Sequence, residues 1–410
     1  MRRILATVLY ARLLINAQFR IVYPFLPAIS RGLGVPLETA ALLVGVRSLA
    51  GITSPLYGWL ADRGDRRVVM LGGLALLAAG AALVAVAPGF GVALIAFVLL
   101  GFSKAAYDPA AQAYVSDAVP YERRGRALGI TELSWAGSWL IGVPLAGLLI
   151  ARFGWQSPFA VIAGLGLLGI FATLRLRRSA HREDSADPVP VDEALRAGAA
   201  DPPASDSQIG ARRRLTWLNW PTAAMLAVSV LVVTANENLF MVYGAWFEGQ
   251  FGLPVAALGL VSIVISVAEL AAAGASAGIV DRVGKHRALL AGLILNALAY
   301  LLLPRIVGTL AVTMGALAVV AMTSEFAIVS ALPLVSELAP QARGTVMATN
   351  AALVSVGVMI VSVLAPRLWS SGGLMLTTAV SAAMAVIATV LLFSISPRRL
   401  GADRRAAGRA

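Results

Sequence analysis

The chain has 410 residues, 59% of them hydrophobic and 13% charged, with a mean hydropathy of +0.82 and a net charge of +12. Soluble domains are about a quarter charged, so a water-soluble globular protein is excluded. Recurring apolar runs of roughly 20 residues, each able to cross a hydrocarbon core of about 30 Å, point to an all-α membrane protein, and strands of about 10 alternating residues, as a β-barrel would need, are absent.

Twelve spans are predicted, at 4–29, 38–60, 68–87, 91–116, 126–150, 157–174, 218–243, 255–280, 287–304, 309–333, 345–367 and 374–395. Met1-Arg2-Arg3 precedes an apolar run too long for a signal peptide, so 4–29 reads as the first span. Away from the terminal residues of the spans, nine charges fall inside them: Arg12 and Arg20 in the first, Arg47 in the second, Lys104 and Asp108 in the fourth, Glu132 in the fifth, Glu237 in the seventh, Glu269 in the eighth and Glu325 in the tenth. A charge facing lipid costs several kcal/mol, so these side chains should face the protein interior or a wet cavity.

In the first span Arg12, Asn16 and Arg20 recur every fourth residue and share a face with Tyr23. Arg12 would lie about 12 Å into the membrane at 1.5 Å per residue, whereas Arg20, nearer the far edge, could either snorkel or face a cavity. In the fourth span Lys104, Asp108 and Gln112 repeat this spacing, and Lys104 and Asp108 can pair. Apart from Lys285, Lys104 is the only lysine in a chain that otherwise uses arginine, and lysine, unlike arginine, can change its protonation when buried. Pro24, Pro27, Pro55, Pro109 and Pro144 should kink or loosen their helices. Gly274 and Gly278 form a small-xxx-small face suited to close helix packing.

Between the sixth and seventh spans, residues 176–216 are rich in Asp, Arg, Ala and Pro and cannot bury a core; a short interfacial helix near 191–197 is the most they could form. The chain therefore divides into an N-terminal bundle (1–175), this linker (176–216), a C-terminal bundle (217–396) and a basic tail (397–410). Asp62-Arg63 and Arg124-Gly125 recur as Asp281-Arg282 and Arg343-Gly344, each 219 positions later, which indicates two homologous six-helix halves. Roughly 25 Lys and Arg lie on the side of both termini, against about four (Arg31, Arg152, Arg305, Arg367) on the other. The positive-inside rule then puts both termini in the cytoplasm.

The segment Gly58-Trp59-Leu60-Ala61-Asp62-Arg63-Gly64-Asp65-Arg66-Arg67 resembles the G-x-x-x-D-R-x-G-R-R loop signature of the major facilitator superfamily, with Asp65 at the second glycine position. The copy Ala277-Gly278-Ile279-Val280-Asp281-Arg282-Val283-Gly284-Lys285-His286-Arg287 keeps that glycine but has Ala277 at the first. Pro120 and Pro340, each followed by Arg-Gly at 124–125 and 343–344, complete the resemblance, which covers nearly the whole chain. Two family patterns depart: Phe97 stands where an arginine is expected four residues before Gly101, and Gly142-Val143-Pro144 replaces an adjacent Gly-Pro.

The resemblance implies twelve helices in two pseudo-symmetric bundles, with the third, sixth, ninth and twelfth spans outermost. Of the nine charges, none falls in those four spans or in the eleventh. The resemblance also implies a secondary transporter working by alternating access. Asp62, Arg63, Arg124, Asp281, Arg282 and Arg343 would form a cytoplasmic gate, each carboxylate resting on a neighbouring helix N-terminus and its arginine. Arg12, Asn16, Arg47, Lys104 and Asp108 are the expected substrate-binding residues, with the cations attracting an anionic group. Glu325, Glu237 and Glu269 are the expected proton carriers, Glu325 foremost, because no histidine lies in a span: His181 falls in the linker and His286 in a loop.

The expected partners are a small-molecule substrate, protons and the bilayer, with no nucleic acid, no cofactor or metal and a monomeric state. A proton-driven exporter of drugs, amphipathic cations or lipid-like molecules, with the three glutamates binding cargo, is the alternative, and a non-transporting sensor is a further one. An enzyme is not expected, because no nucleophile–base or metal constellation is present, nor is a P-loop for ATP.

Overall fold

In this computed structural model the described residues are 2–119, 121–177, 219–337 and 343–395, and they are helical almost throughout. Pro120, Pro340, most of the 176–216 linker and the basic tail, with the expectations attached to them, lie outside the described residues. Eleven helical spans are long and apolar enough to cross a membrane: Arg3–Leu33, Leu37–Arg63, Arg66–Ala85, Phe90–Ala118, Gly129–Phe153, Ser157–Leu174, Trp220–Phe251, Val255–Val280, Lys285–Ile306, Leu310–Val335 and Gly344–Ser394. They are called spans 1 to 11 below. His286, expected in a loop, sits in the first turn of span 9.

Span 11 covers both of the last two predicted segments. It is 51 residues long, or about 76 Å at 1.5 Å per residue, and it breaks at Gly373, where φ is 56° and ψ −148°. The break falls in the gap predicted between the last two segments, and hydroxyls on either side of it bond back into the helix: Ser371 Oγ donates to the Arg367 carbonyl at 2.8 Å, and Thr377 Oγ1 to that of Gly373 at 2.9 Å.

Three further irregularities surround the centre. Span 2 tightens into a 3-10 turn at Ala50–Thr53, just before Pro55, whose ring and missing N–H disrupt the preceding turn. Span 5 widens into a π turn at Ser138–Gly142, ahead of Pro144. Span 7 breaks at Met241–Val242, between helices Trp220–Phe240 and Tyr243–Phe251. Span 8 supplies donors to span 5 around its π turn: Ser262 Oγ donates to the Trp139 carbonyl and Ser266 Oγ to that of Ala136, both at 3.1 Å. A carbonyl left bare in an apolar medium would cost several kcal/mol.

Close packing rests on a few glycines. A Cβ on Gly101 of span 4 would stand 2.3 Å from the Arg47 carbonyl oxygen of span 2. Because that obstacle is backbone, Gly101→Val should cost about 1–3 kcal/mol or more, measurable as a lower Tm of the detergent-purified protein. An unchanged Tm would mean that spans 2 and 4 can separate freely.

The two ends of the molecule differ. Away from the termini, spans 1 and 7 meet so closely that a Cβ on Gly244 would stand 2.3 Å from the Pro24 carbonyl oxygen. Spans 5 and 8 meet there too, Gly259 lying against Val143 and Pro144, and Arg31 pairs with Glu248 at 2.9 Å. At the end carrying the N-terminus, no atom lies within 4 Å of where a Cβ on Gly58, Gly274, Gly278 or Gly344 would stand. A groove of about 470 Å³ runs there between Pro55 and the Gly344–Ala352 stretch. The helix contact expected at Gly274 and Gly278 is therefore absent in this state, because the chain is parted at that end.

Candidate functional site

A cavity of about 440 Å³ lies at the centre, below the closed end. Spans 1, 2, 4, 5, 7, 8, 10 and 11 line it, and spans 3, 6 and 9 contribute nothing. The aromatic series Trp139, Phe240, Tyr243 and Phe247 runs from span 5 into span 7 in edge and tilted contacts, with centroid distances of 6.0, 5.7 and 6.5 Å. These large buried rings accompany the closed end.

The charged residues expected at the site fall into three groups. In the first, Arg12 is held away from the cavity: Nη1 and Nη2 donate to the two oxygens of Glu132 at 2.8 and 3.3 Å, and Nε lies 3.4 Å from Asp108 Oδ1. Lys104 Nζ donates to Asp108 Oδ2 at 2.7 Å and to Asn16 Oδ1 at 2.6 Å, and Asn16 donates to Ser134 Oγ at 3.1 Å. Of these residues only Lys104 and Asp108 line the cavity. Two cations are matched by two carboxylates, so the network is locally neutral.

The second group joins spans 1, 5 and 8. Arg20 is only 5% exposed, and its guanidinium lies over the rings of Trp135 and Trp139, at 3.7 and 4.6 Å. Its Nη2 is 3.8 Å from Glu269 Oε2. Burial excludes the snorkelling alternative for Arg20, and the aromatic faces supply cation–π stabilisation in place of water.

The third group comprises the charges that remain. Arg47 is fully buried and lines the cavity, stacked over Phe19 at 3.9 Å. Its Nη1 donates to the Gln18 carbonyl at 3.1 Å, while Nε and Nη2 have no hydrogen-bond partner. Glu237, facing Tyr23, Arg20 and Arg47, has Oε2 without a hydrogen-bond partner. Among the described residues neither Glu237 nor Glu325 has a cation within 4 Å, whereas Glu269 does.

Phe19 and Trp135 were missed in reading the sequence for charge alone. A signal was present: Trp135 follows Glu132 by three residues and Phe19 precedes Tyr23 by four, so each shares a helix face with a residue already singled out. At the gate, Asp62 is exposed and 3.7 Å from Arg66, and Arg63 lies over the Trp59 ring at 4.2 Å. Arg66 in turn pairs with Asp117. Arg282 is exposed, and the side chains of Arg124, Asp281 and Arg343 lie outside those described. Among the described residues no His, Asp and Glu cluster could hold a metal.

Helices around a charged cavity, closed at one end and parted at the other, define a membrane transporter rather than an enzyme. The chain belongs to the Major Facilitator Superfamily, whose model matches residues 8–235 and again 225–409. It is 28% identical over 299 residues to the multi-drug resistance efflux pump PmrA homolog of Lactococcus lactis, covering 70% of this chain and 68% of that one. It is 25% identical over 319 residues to the multidrug resistance protein MdtG of Escherichia coli, covering 74% and 73%. The uncharacterized MFS-type transporter YceJ of Bacillus subtilis is 24% identical, with 85% and 84% covered.

Among solved structures, the D-xylose-proton symporter matches with a TM-score of 0.78 at 15% identity, covering 97% of this chain and 98% of that one. A bacterial homolog of the human lysosomal transporter Spinster, in an inward-facing and unoccupied conformation, matches with a TM-score of 0.74 at 16% identity, covering 95% and 96%. At these identities the structures establish the fold. Secondary active transport of small molecules follows from the family.

Proposed function

We propose that the chain is a proton-driven exporter of amphipathic, drug-like molecules, working by alternating access. The observation that carries this reading is the pair of cavity carboxylates with no cation within 4 Å among the described residues, Glu237 and Glu325, facing a wall that includes Phe19, Tyr23 and Trp135. Aromatic faces and carboxylates together suit a flat organic cation. An anionic cargo is less well supported, because Arg12 and Lys104 are engaged by Glu132 and Asp108 and only Arg47 is left to attract it. The volume of about 440 Å³ is in the range of drug-sized sites, and the names of the Lactococcus and Escherichia relatives favour the same reading.

In this reading Glu237 attracts the cargo, Glu325 carries the proton and Glu269 stays tied to Arg20. The chain works as a monomer of twelve spans in two six-helix halves, span 11 crossing twice with its turn at Gly373. The two successive matches to the family model support the halves. Lys and Arg density supports a cytoplasmic location for both termini, so the parted end faces the cytoplasm, where Asp62 stands exposed.

The test is flux of the aromatic cation ethidium in proteoliposomes under an imposed pH gradient. Gradient-dependent movement of ethidium that collapses with a protonophore is expected. Flux of small organic anions with none of ethidium would overturn the reading.

A further inference from the structure

We infer that the preferred cargo is zwitterionic: it carries a carboxylate, held by Arg47, as well as the cationic group that faces Glu237. The inference rests on the proposed export of amphipathic molecules through this cavity and makes their class more specific.

Its basis is the geometry of one buried guanidinium. Arg47 is 0% exposed. Its plane is covered by Phe19 at 3.9 Å and its Nη1 is satisfied by the Gln18 carbonyl. The two nitrogens left without an acceptor are Nε and Nη2, which lie along one side of the guanidinium. Together they present the two parallel N–H bonds that match the two oxygens of a carboxylate. The Phe19 ring and the bond to Gln18 hold the fork in place. A buried charged group left without a partner is costly, and an incoming carboxylate would relieve that cost. Tyr23 lies beside both Arg47 and Glu237, so the cationic and anionic subsites share one aromatic wall.

The charges support a bipolar cargo. Across the site, Arg12, Arg20, Arg47 and Lys104 face Asp108, Glu132, Glu237, Glu269 and Glu325. Pairing Arg12 and Lys104 with Glu132 and Asp108, and Arg20 with Glu269, leaves one positive group and two negative ones. In the competing, cargo-bound state Glu325 is ionised, so Arg47 faces the cargo together with the carboxylates of Glu237 and Glu325. A zwitterion engages both signs, whereas a simple cation leaves Arg47 bare.

The probes are a rhodamine free acid, in which a xanthylium cation carries a benzoate, and its methyl ester, which keeps the cation and lacks the carboxylate. Binding to the full-length purified protein is read by fluorescence polarisation at neutral pH. The free acid is expected to bind roughly tenfold tighter than the ester, the effect of about 1.4 kcal/mol from charge-assisted hydrogen bonds. In Arg47→Gln the ratio of the two affinities should collapse toward one. Arg47→Lys keeps the charge without the fork and should recover only part of the ratio.

Glu237→Gln should weaken both probes. If acid and ester bind the wild-type protein alike, the Arg47 subsite is refuted while the export reading stands. That is the result expected if Arg47 serves only to pair with Glu237 when the halves move. If neither probe binds, or Glu237→Gln affects neither, the underlying cavity reading fails as well. Because the wild-type ratio is itself decisive, a variant that does not fold leaves the test intact.

Discussion

Glu325→Gln is expected to abolish accumulation of cargo driven by a pH gradient while exchange of cargo at equal pH survives. The reason lies in which cavity carboxylate can become neutral without leaving a partner bare. Glu269 cannot: protonating it removes the counter-charge of Arg20, which is buried between Trp135 and Trp139. Asp108 cannot, because it neutralises both Arg12 and Lys104. Glu325 has no cation within 4 Å among the described residues and lines the cavity from span 10.

A carboxyl in an apolar, solvent-poor site favours its neutral form, and an approaching cation favours ionisation. Proton and cationic cargo therefore compete, and that competition couples their movements. With one proton per cargo, one pH unit supports up to about tenfold accumulation, equivalent to about 1.4 kcal/mol. Accumulation in Glu325→Gln should fall to about onefold. The comparison is between gradient-driven uptake and equal-pH exchange in the same proteoliposomes. If both fall equally, or neither falls, Glu325 is not the coupling group.

The parts of the site legible in the sequence were those with a one-body cost. A charge within an apolar run must face the interior, and Arg47, Lys104, Asp108, Glu237, Glu269 and Glu325 do line one cavity. The Lys104–Asp108 pair was also legible, because four residues separate its members on one helix. Illegible were the partners that only folding brings together. Arg12 meets Glu132 across 120 positions, and Arg20 meets Glu269 across a span boundary that no periodicity reveals.

The same limit explains why Arg12 and Asn16, alike in spacing to the true lining residues, lie behind the cavity. Helix faces follow from sequence, but which face meets the cavity depends on how neighbouring spans are turned. Helix ends were legible to within a few residues except in span 7, which continues past the predicted end at 243 to Phe251 after its break at Met241–Val242. The break at Gly373 was legible, since it falls between the last two predicted segments, but the π turn of span 5 lies wholly within an apolar run.

Gly244→Leu is expected to prevent closure of the end away from the termini and so to hold the protein out of the conformation described. The Pro24 carbonyl oxygen, carbonyl carbon and Cα would stand 2.3, 2.8 and 3.0 Å from a Cβ at position 244. All three are backbone atoms of a helix and cannot swing aside. Overpacking of this kind costs about 1–3 kcal/mol, enough to shift a two-state equilibrium about 5- to 150-fold. If the penalty applies only to the state in which spans 1 and 7 touch, the protein folds and is trapped with that end open.

The chain has no cysteine, so a single reporter is clean. Ser54→Cys lines the cavity in span 2, towards the end that is parted in this conformation. Its reaction with a membrane-impermeant maleimide, added on the side of the termini, should fall at least about fivefold in Gly244→Leu. Transport should fall with it, and Gly244→Ala should show a smaller effect in the same direction. A Tm near that of the parent separates trapping from misfolding. Undiminished labelling with normal transport would mean that the seal between Pro24 and Gly244 yields, and that closure depends instead on the Gly259–Pro144 contact of spans 5 and 8.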